Sequence, residues 1–479
     1  MITLIKPILL VATLPLLFVG CTTTNPNAAF GDVDKTVLAR TGQQVSWPRD
    51  DAQRKVTTEA VSALLATNLT AQSAVAIALL NNRTLQAEFE DIGISQADLA
   101  QAARLKNIEI AGSWRWTDGP ANAVNAAYSA AGDFLDLLTL PTRKKIARRE
   151  LEQTKLRVAD SVLRLAAEAQ TAFYTVQAGE ELARRLGVIA AINDAGAEVA
   201  QRQFDAGNIN ALELQNQQAS AAQARLDFML AQAQTRADRE RLNRLLGLSG
   251  VQTHWQVGNE LPGLPIAEAP LENLEALAVG QRLDLAAMRS ETESVAGALR
   301  LKKNTRFLPG VALGVSTEVS PDGQRVTGPN LSLEIPLFDQ GQPAVARLAA
   351  QYRQAQNNYA AMEVNVRSEV RQAQDTLLAT RAAAEHYAKI LLPQRQEILR
   401  ETLRHYNAMQ KSSYELLAAK EREQLTERGY VEALRDYWIA RAELERAVGG
   451  RLHGEGLSSA ATPPESPEAT PTSEHHHHH

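Results

Sequence analysis

Phe204-Asp205-Ala206-Gly207-Asn208-Ile209-Asn210-Ala211-Leu212-Glu213-Leu214 returns 202 positions later as Tyr406-Asn407-Ala408-Met409-Gln410-Lys411-Ser412-Ser413-Tyr414-Glu415-Leu416. The same displacement carries Leu242…Leu246-Gly247 onto Leu444…Val448-Gly449, and a displacement of 204 carries Ala169-Gln170 onto Ala373-Gln374. Several matches with so little drift mark a tandem duplication, with a unit of about 200 residues. Upstream of the first tip, Val158, Val162, Leu165, Ala169, Ala172, Val176, Ala183, Leu186 and Ala190 follow alternating steps of four and three, with Gly179 in the one gap. A sustained seven-residue apolar repeat winds a helix around a neighbour, and alanine in the seam lets the axes approach closely. Thr142 to Gln203 alone makes a rod of roughly 90 Å at ~1.5 Å per residue. Each copy therefore reads as a long helical hairpin with the quoted stretch at its tip, too long for an ordinary bundle.

Away from the hairpins the period changes. Residues 108–117, around Ile108-Glu109-Ile110-Ala111-Gly112-Ser113-Trp114-Arg115-Trp116, alternate with the apolar residues on even numbers, as a strand does. Asp118–Asn125 reads as a loop, 133–140 as a weakly alternating return strand, and Pro141 as the opening of the long helix. In the second copy, 310–319 and 327–338 read as strands around the Ser320-Pro321-Asp322-Gly323 turn. The first repeat spans 73–247 with its tip at 204–210, the second 271–449 with its tip at 406–413, and 248–270 links them. Ser73–Lys106, interrupted at Asn81-Asn82, and Asn208–Gly247 together match the single rod, so the simplest packing stacks these two end to end beside it. Pro393 should bend the second rod.

Strands of about ten residues suit a tilted membrane strand. Four cannot close a barrel, since roughly eight is the smallest number that encloses side chains, and open edges cannot face lipid. Two chains would supply eight strands and three would supply twelve. The bland alternative is a small soluble sheet.

The chain's 479 residues are 44% hydrophobic and 22% charged with a net charge of −5, a globular composition without the basic excess of a nucleic-acid binder. Residues 1–20 form a targeting segment, with Lys6 ahead of the apolar run from Pro7 to Val19. Phe18-Val19-Gly20-Cys21 resembles a bacterial lipobox, which makes Cys21, the single cysteine, the candidate lipid anchor. Thr22 in place of aspartate points, by the same resemblance, to the outer membrane. Residues 21–72 read as an extended lipidated arm, 450–474 as a disordered tail and His475–His479 as an expression tag. No later run reaches the ~18 apolar residues of a membrane helix.

The ordered set of motifs resembles the TolC-like outer-membrane efflux family over nearly the whole mature chain. Its carriers are the duplicated tips, Ile335-Pro336-Leu337-Phe338-Asp339-Gln340-Gly341, Arg282-Leu283-Asp284-Leu285, and the leucine-glycine hairpin ends. Arg40-Thr41-Gly42 with Val45-Ser46-Trp47, followed by Ala78-Leu79-Leu80-Asn81-Asn82-Arg83, is similar to the lipid-anchored heavy-metal branch. The resemblance implies a mainly α protein with a β-barrel part: a homotrimer with a twelve-stranded barrel in the outer membrane, continued by a periplasmic α-barrel. Its tips would meet a periplasmic adaptor and, through it, an inner-membrane pump of the resistance-nodulation-division (RND) type. It places the closing latch on Tyr406, Lys411 and Glu213, with Glu415 as the nearest substitute for an acidic ring that would otherwise fall on Ala418. Lysine at 411 lacks the bidentate fork of the family's arginine. Asp205, Gly207, Asn208, Met409 and Gln410 fall on the adaptor-contacting tips, and Met409 replaces a glycine, which leaves the second turn's geometry open.

An enzyme is not indicated. Outside the tag, His254, His386, His405 and His453 are scattered without ligand spacing, and no phosphate loop or nucleophile elbow occurs. No catalytic residue, metal site or cofactor is expected. The expected function is a passive conduit for an efflux pump, with heavy-metal cations as cargo. Drug efflux, type I protein secretion and a periplasmic coiled-coil adaptor without a barrel are the alternatives. An adaptor would not need four strands in two matched sets.

Overall fold

The computed structural model describes residues 26–116, 124–268, 270–307, 310–334 and 337–452. The targeting segment, Cys21, Ile335-Pro336, the tail from His453 and the tag lie outside the described residues. The first repeat begins with α3 (Ala71–Asn81) and α4 (Arg83–Ala102), followed by β1 (Glu109–Trp116), β2 (Val124–Asp133), α5 (Phe134–Asp205) and α6 (Ala211–Leu246). The second repeats this order as α7 (Leu274–Gln281), α8 (Leu283–Thr305), β3 (Gly310–Val319), β4 (Arg325–Glu334), α9 (Gln342–His386), α10 (Leu392–Asn407) and α11 (Ser413–Val448). Ahead of both stand α1 (Pro26–Thr41) and α2 (Asp51–Leu65).

The 72 residues of α5 make a rod of roughly 110 Å. The seam residues Val158, Val162, Ala169, Ala172, Val176, Leu186 and Ala190 are all buried. The stacking holds as well: Asn81 Nδ2 donates to the carbonyls of Leu246 (3.0 Å) and Gly247 (2.7 Å), so the start of the first repeat meets the end of its hairpin. Asn82 ends α3 and caps α4, accepting from Leu85 N at 3.0 Å, which is the interruption read at Asn81-Asn82. The start of that segment lies at Thr70, whose hydroxyl caps α3 in a reciprocal box with Ser73.

Several boundaries differ from the sequence reading. Residues 134–140 are helix, because Asp133 caps Leu135 N (3.0 Å) and Asp136 N (3.3 Å), while the buried Asp136 carboxylate is held by Arg143 (2.8 Å) and the Lys106 amide (3.0 Å). The return strand is instead β2, whose run Val124-Asn125-Ala126-Ala127-Tyr128-Ser129-Ala130 is built from small residues that hide the alternation. Pro141 lies inside α5 rather than opening it. The last strand is Arg325–Glu334, and Leu337-Phe338 lie beyond it. Near Pro393 the second rod carries a π turn at Tyr387–Leu391, one turn ahead of the proline, where an extra residue relieves the clash with the preceding carbonyl. The arm is not extended throughout: α1 and α2 flank the irregular 42–50 segment, and Ala29, Val33 and Val37, four apart, bury α1 in the core. Trp47, packed between Phe30 and Phe89, fastens the segment between them.

Candidate functional site

The four strands form one antiparallel meander in the order β1-β2-β3-β4, with β1 and β4 as open edges. The register sorts the residues into two faces. One face carries Ile110, Trp114 and Trp116 of β1, Val124 and Tyr128 of β2, Val311, Leu313 and Val315 of β3, and Leu331 and Leu333 of β4, with Thr317, Thr327 and Arg325 toward the β3–β4 turn. The other carries Glu109, Ser113, Arg115, Asn125, Ser129, Ser316, Glu318, Asn330 and Ser332 among alanines and glycines, with Val326 opposite Glu318. Ile110 is 81% and Trp116 72% exposed, so none of the described residues covers that end of the apolar face. Asn125 donates to Glu318 at 2.7 Å across the polar face, and Trp114 meets Tyr128 edge-on at 5.7 Å on the apolar one. Gly314 is required by the pairing itself, since a Cβ there would lie 2.2 Å from the Ala130 carbonyl oxygen.

At the opposite end of the hairpins the two tips share one turn. Asn208 N donates to Gln203 O and Gly207 N to Phe204 O, both at 2.8 Å; Gln410 N donates to His405 O and Met409 N to Tyr406 O, both at 2.9 Å. These are the paired bonds of a Schellman ending. Gly207 has φ +74° and Met409 φ +58°, so methionine keeps the glycine geometry, and its side chain is 95% exposed. That settles the second turn's shape. The other tip residues have local partners: Gln201 Nε2 donates to Asp205 at 2.8 Å, and the His405 ring lies 2.6 Å from Gln410 Oε1.

Three of the candidate latch residues, Glu213, Lys411 and Glu415, are held locally at the start of the helix that follows their own tip. Glu213 closes a capping box with Asn210 at the start of α6. Lys411 pairs with Glu415 at 2.5 Å, and Glu415 also accepts from Ser412 N at 2.9 Å. The Lys411 hydrogen bond, followed by that from Ser412, holds the Glu415 carboxyl below its ordinary range. Tyr406 is exposed, and the structure does not bring it to Lys411 or Glu213 within the chain.

What links the hairpins near the tips is a set of polar rungs that sequence reading missed. Tyr414 OH donates to Gln203 Oε1 at 2.8 Å, Asn193 Nδ2 donates to Glu421 at 2.9 Å, and Arg185 bridges Glu181 (2.9 Å) and Glu427. Burial first and the nearby Glu213 second push the Tyr414 phenol above its usual value. Their sequence signal was present: Glu181 and Arg185 interrupt an otherwise apolar α5 stripe.

Midway along the rods the 254–271 segment straps both hairpins. Gln177 donates to Glu260 O (2.8 Å), Trp438 to Pro262 O (2.8 Å) and Arg381 to Pro265 O (3.0 Å). Glu268 is the anchor, paired with Arg381 at 2.6 Å, receiving the Tyr437 hydroxyl, and 3.6 Å from Arg441. Burial and then the bond to Glu268 push the Tyr437 phenol up to about 12. Among the described residues no group of three or more His, Cys, Asp or Glu side chains could hold a metal ion, and no helix is long and apolar enough to cross a membrane.

No family model matches the chain. It is 22% identical over 330 residues to the cobalt-zinc-cadmium resistance protein CzcC of Cupriavidus metallidurans, covering 68% of this chain and 77% of that protein. It superposes on a membrane protein from Pseudomonas aeruginosa with a TM-score of 0.67 at 19% identity, covering 79% of this chain and 92% of that one. It also superposes on the Campylobacter jejuni CmeC outer membrane channel with a TM-score of 0.68 at 14% identity, covering 85% and 89%. The duplicated hairpins, the two-faced sheet and these superpositions together give the chain the fold of the TolC-like outer-membrane channels.

Proposed function

We propose that three copies of the chain join edge to edge into a twelve-stranded barrel in the outer membrane, continued by an α-helical tunnel through the periplasm. The observation that carries this reading is the sheet with one apolar and one polar face, both bare, and with both edges open. An apolar face of that kind suits lipid, a polar one suits a water-filled lumen, and neither bare edge is tolerable in a bilayer until β1 of one copy pairs with β4 of the next. Ten-residue strands have the length a tilted barrel strand needs.

The assembly is a passive conduit rather than an enzyme: an inner-membrane RND pump supplies the energy, and a periplasmic adaptor docks on Asp205, Gly207, Asn208, Met409 and Gln410. Cys21 carries the lipid that fastens the chain to the membrane. Heavy-metal cations are the proposed cargo, supported by the likeness to the cobalt-zinc-cadmium resistance protein. At the tips, Tyr406, Lys411, Glu213 and Glu415 form the latch between hairpins and neighbouring copies. Opening shifts the second tip against the first and breaks the Tyr414–Gln203 rung along with that latch. The test is single-channel conductance in planar bilayers. The wild-type protein should form channels, and Tyr406→Phe with Lys411→Ser should raise their conductance. Absence of channels would refute the conduit, and unchanged conductance in the variant would refute the latch.

A further inference from the structure

Where the sheet meets the helical body, two packed helices change character along one stripe. On α5, Phe134, Leu137, Leu138 and Pro141 share a face with Lys144, Lys145 and Arg148, because at 3.6 residues per turn these positions fall within roughly 120° of arc. Leu137 is 51% and Leu138 58% exposed, and the three cations are exposed too. On α8 the same order runs toward the sheet: Arg300, then Lys303, then Phe307 in the turn that ends the helix, 60% exposed. The two stripes are level, since Gly297 packs against Ile146 with room for little more than a hydrogen (a Cβ would meet Ile146 Cγ1 at 3.2 Å).

Among the described residues, the cations of these stripes have no acidic partner within 4.0 Å. Their neighbours Arg143 and Arg149 are paired with Asp136 and Glu293. Among the described residues none of Lys144, Lys145, Arg148, Arg300 and Lys303 makes a salt bridge. Exposed apolar side chains next to the sheet (Phe307 with the Arg306 guanidinium 4.2 Å from its ring centre), followed one or two turns later by unopposed cations, follow the order a bilayer imposes from acyl chain to phosphate. A water-lined wall gives no reason for the exposed leucines and phenylalanine.

We infer that these five cations form a collar that binds the phosphates of anionic glycerophospholipid headgroups in the leaflet nearer the helices. This rests on the membrane reading above. The collar fixes the depth of the assembly and holds charged lipid around the base of the sheet, with an attraction that should fall as salt screens it.

The test uses the full-length protein reconstituted in vesicles of equal phosphatidylcholine and phosphatidylglycerol, then released in mild detergent for native mass spectrometry of retained lipid. Conductance in pure phosphatidylcholine bilayers is recorded in parallel. The wild type should retain phosphatidylglycerol over phosphatidylcholine by at least roughly fivefold, the equivalent of one cation–headgroup contact. The variant with Lys144→Gln, Lys145→Gln, Arg148→Gln, Arg300→Gln and Lys303→Gln should fall to near parity while still conducting. Arg400→Gln with Arg404→Gln, far down the second rod, should leave the preference intact. If the five-site variant fails to assemble, Lys144→Gln with Arg300→Gln is read instead and must lose part of the preference. Conducting wild type without a preference, or a five-site variant that keeps it, overturns the collar and leaves the conduit standing. Protein that neither conducts nor retains lipid overturns both.

Discussion

Asn82 and Arg282 stand 200 positions apart at equivalent joints, each ending one helix and starting the next. Asn82 Nδ2 donates to Leu245 O at 2.9 Å, and Arg282 Nη1 lies 3.4 Å from Ala447 O, the carbonyl 202 positions further on. The duplication therefore extends to how each hairpin's last carbonyls are satisfied, with a neutral amide in one copy and a guanidinium in the other. Arg282 also pairs with Asp284 (2.5 Å) and Glu369 (2.6 Å). Burial pulls its pKa down, but the hydrogen bonds to these two carboxylates outweigh burial and hold it above the ordinary value.

Arg282→Ala should then be among the more damaging single changes outside the seam. It takes both guanidinium donors from the half-buried Asp284, which keeps only the Leu285 amide (2.8 Å), and the donor from Ala447 O, while Gln281 still reaches Val448 O (3.0 Å). Because Glu369 is partly solvated, the cost should be about 2–3 kcal/mol, below that of a fully buried pair. Thermal unfolding of the purified protein checks this, and Arg282→Lys should recover only part because it lacks the fork.

Gly314→Val should abolish sheet formation, because its Cβ would collide with the Ala130 carbonyl. Gly328→Ala, on β4 with open space around it, should be tolerated. Circular dichroism and recovery of the protein from outer-membrane fractions distinguish the two.

Met409→Gly should stabilise the second tip by about 1 kcal/mol, since methionine there holds a left-handed φ of +58° that glycine adopts freely. Hydrogen exchange at the amides of Met409 and Gln410, which carry the turn's bonds, should slow several-fold. Unchanged exchange would mean that the turn is not strained.

One shifted group at the tip and one at the strap give opposite pH dependences. Glu415 has a lowered pKa, so its pairing with Lys411 contributes above the ordinary value of 4.5 and is lost as pH falls through the lowered one. Acidification below pH 4.5 should loosen the tips. Tyr437 has a raised pKa, so its contribution is complete below 10 and is lost as pH rises toward about 12. Absorbance titration should show one tyrosine ionising near 12 that disappears in Tyr437→Phe, and a tyrosine ionising at the usual 10 instead would contradict the strap geometry.

The hairpins, the joint at Asn81-Asn82 and the strands around Gly310–Val319 could be read from the sequence because each rests on a period that repeats. β2 could not: alanine, serine and glycine fit a strand's two faces without alternating in polarity, and the deciding event, Asp133 capping a helix, depends on Arg143 and Lys106 folding back on Asp136. Helix α1 escaped notice because Ala29, Val33 and Val37 are too few to set a period alone. At the tips, composition named charged residues but not their partners. Lys411 lies four residues from Glu415 and Glu213 three from Asn210, so local pairing competes with any contact between hairpins.

In the proposed barrel, the edges that one chain leaves open are closed by its neighbours. Within a chain β1 and β4 are three strand spacings apart, roughly 14 Å, beyond the ~7 Å reach of a disulfide. The most direct measurement introduces cysteines on the polar face of both edges, Ser113→Cys combined in turn with Gly328→Cys, Asn330→Cys and Ser332→Cys, and resolves the oxidised, membrane-extracted protein by denaturing electrophoresis. One register should yield covalent trimers that the single-cysteine variants do not form. Monomers in every register, or a ladder that runs on past three chains, would contradict the closed barrel.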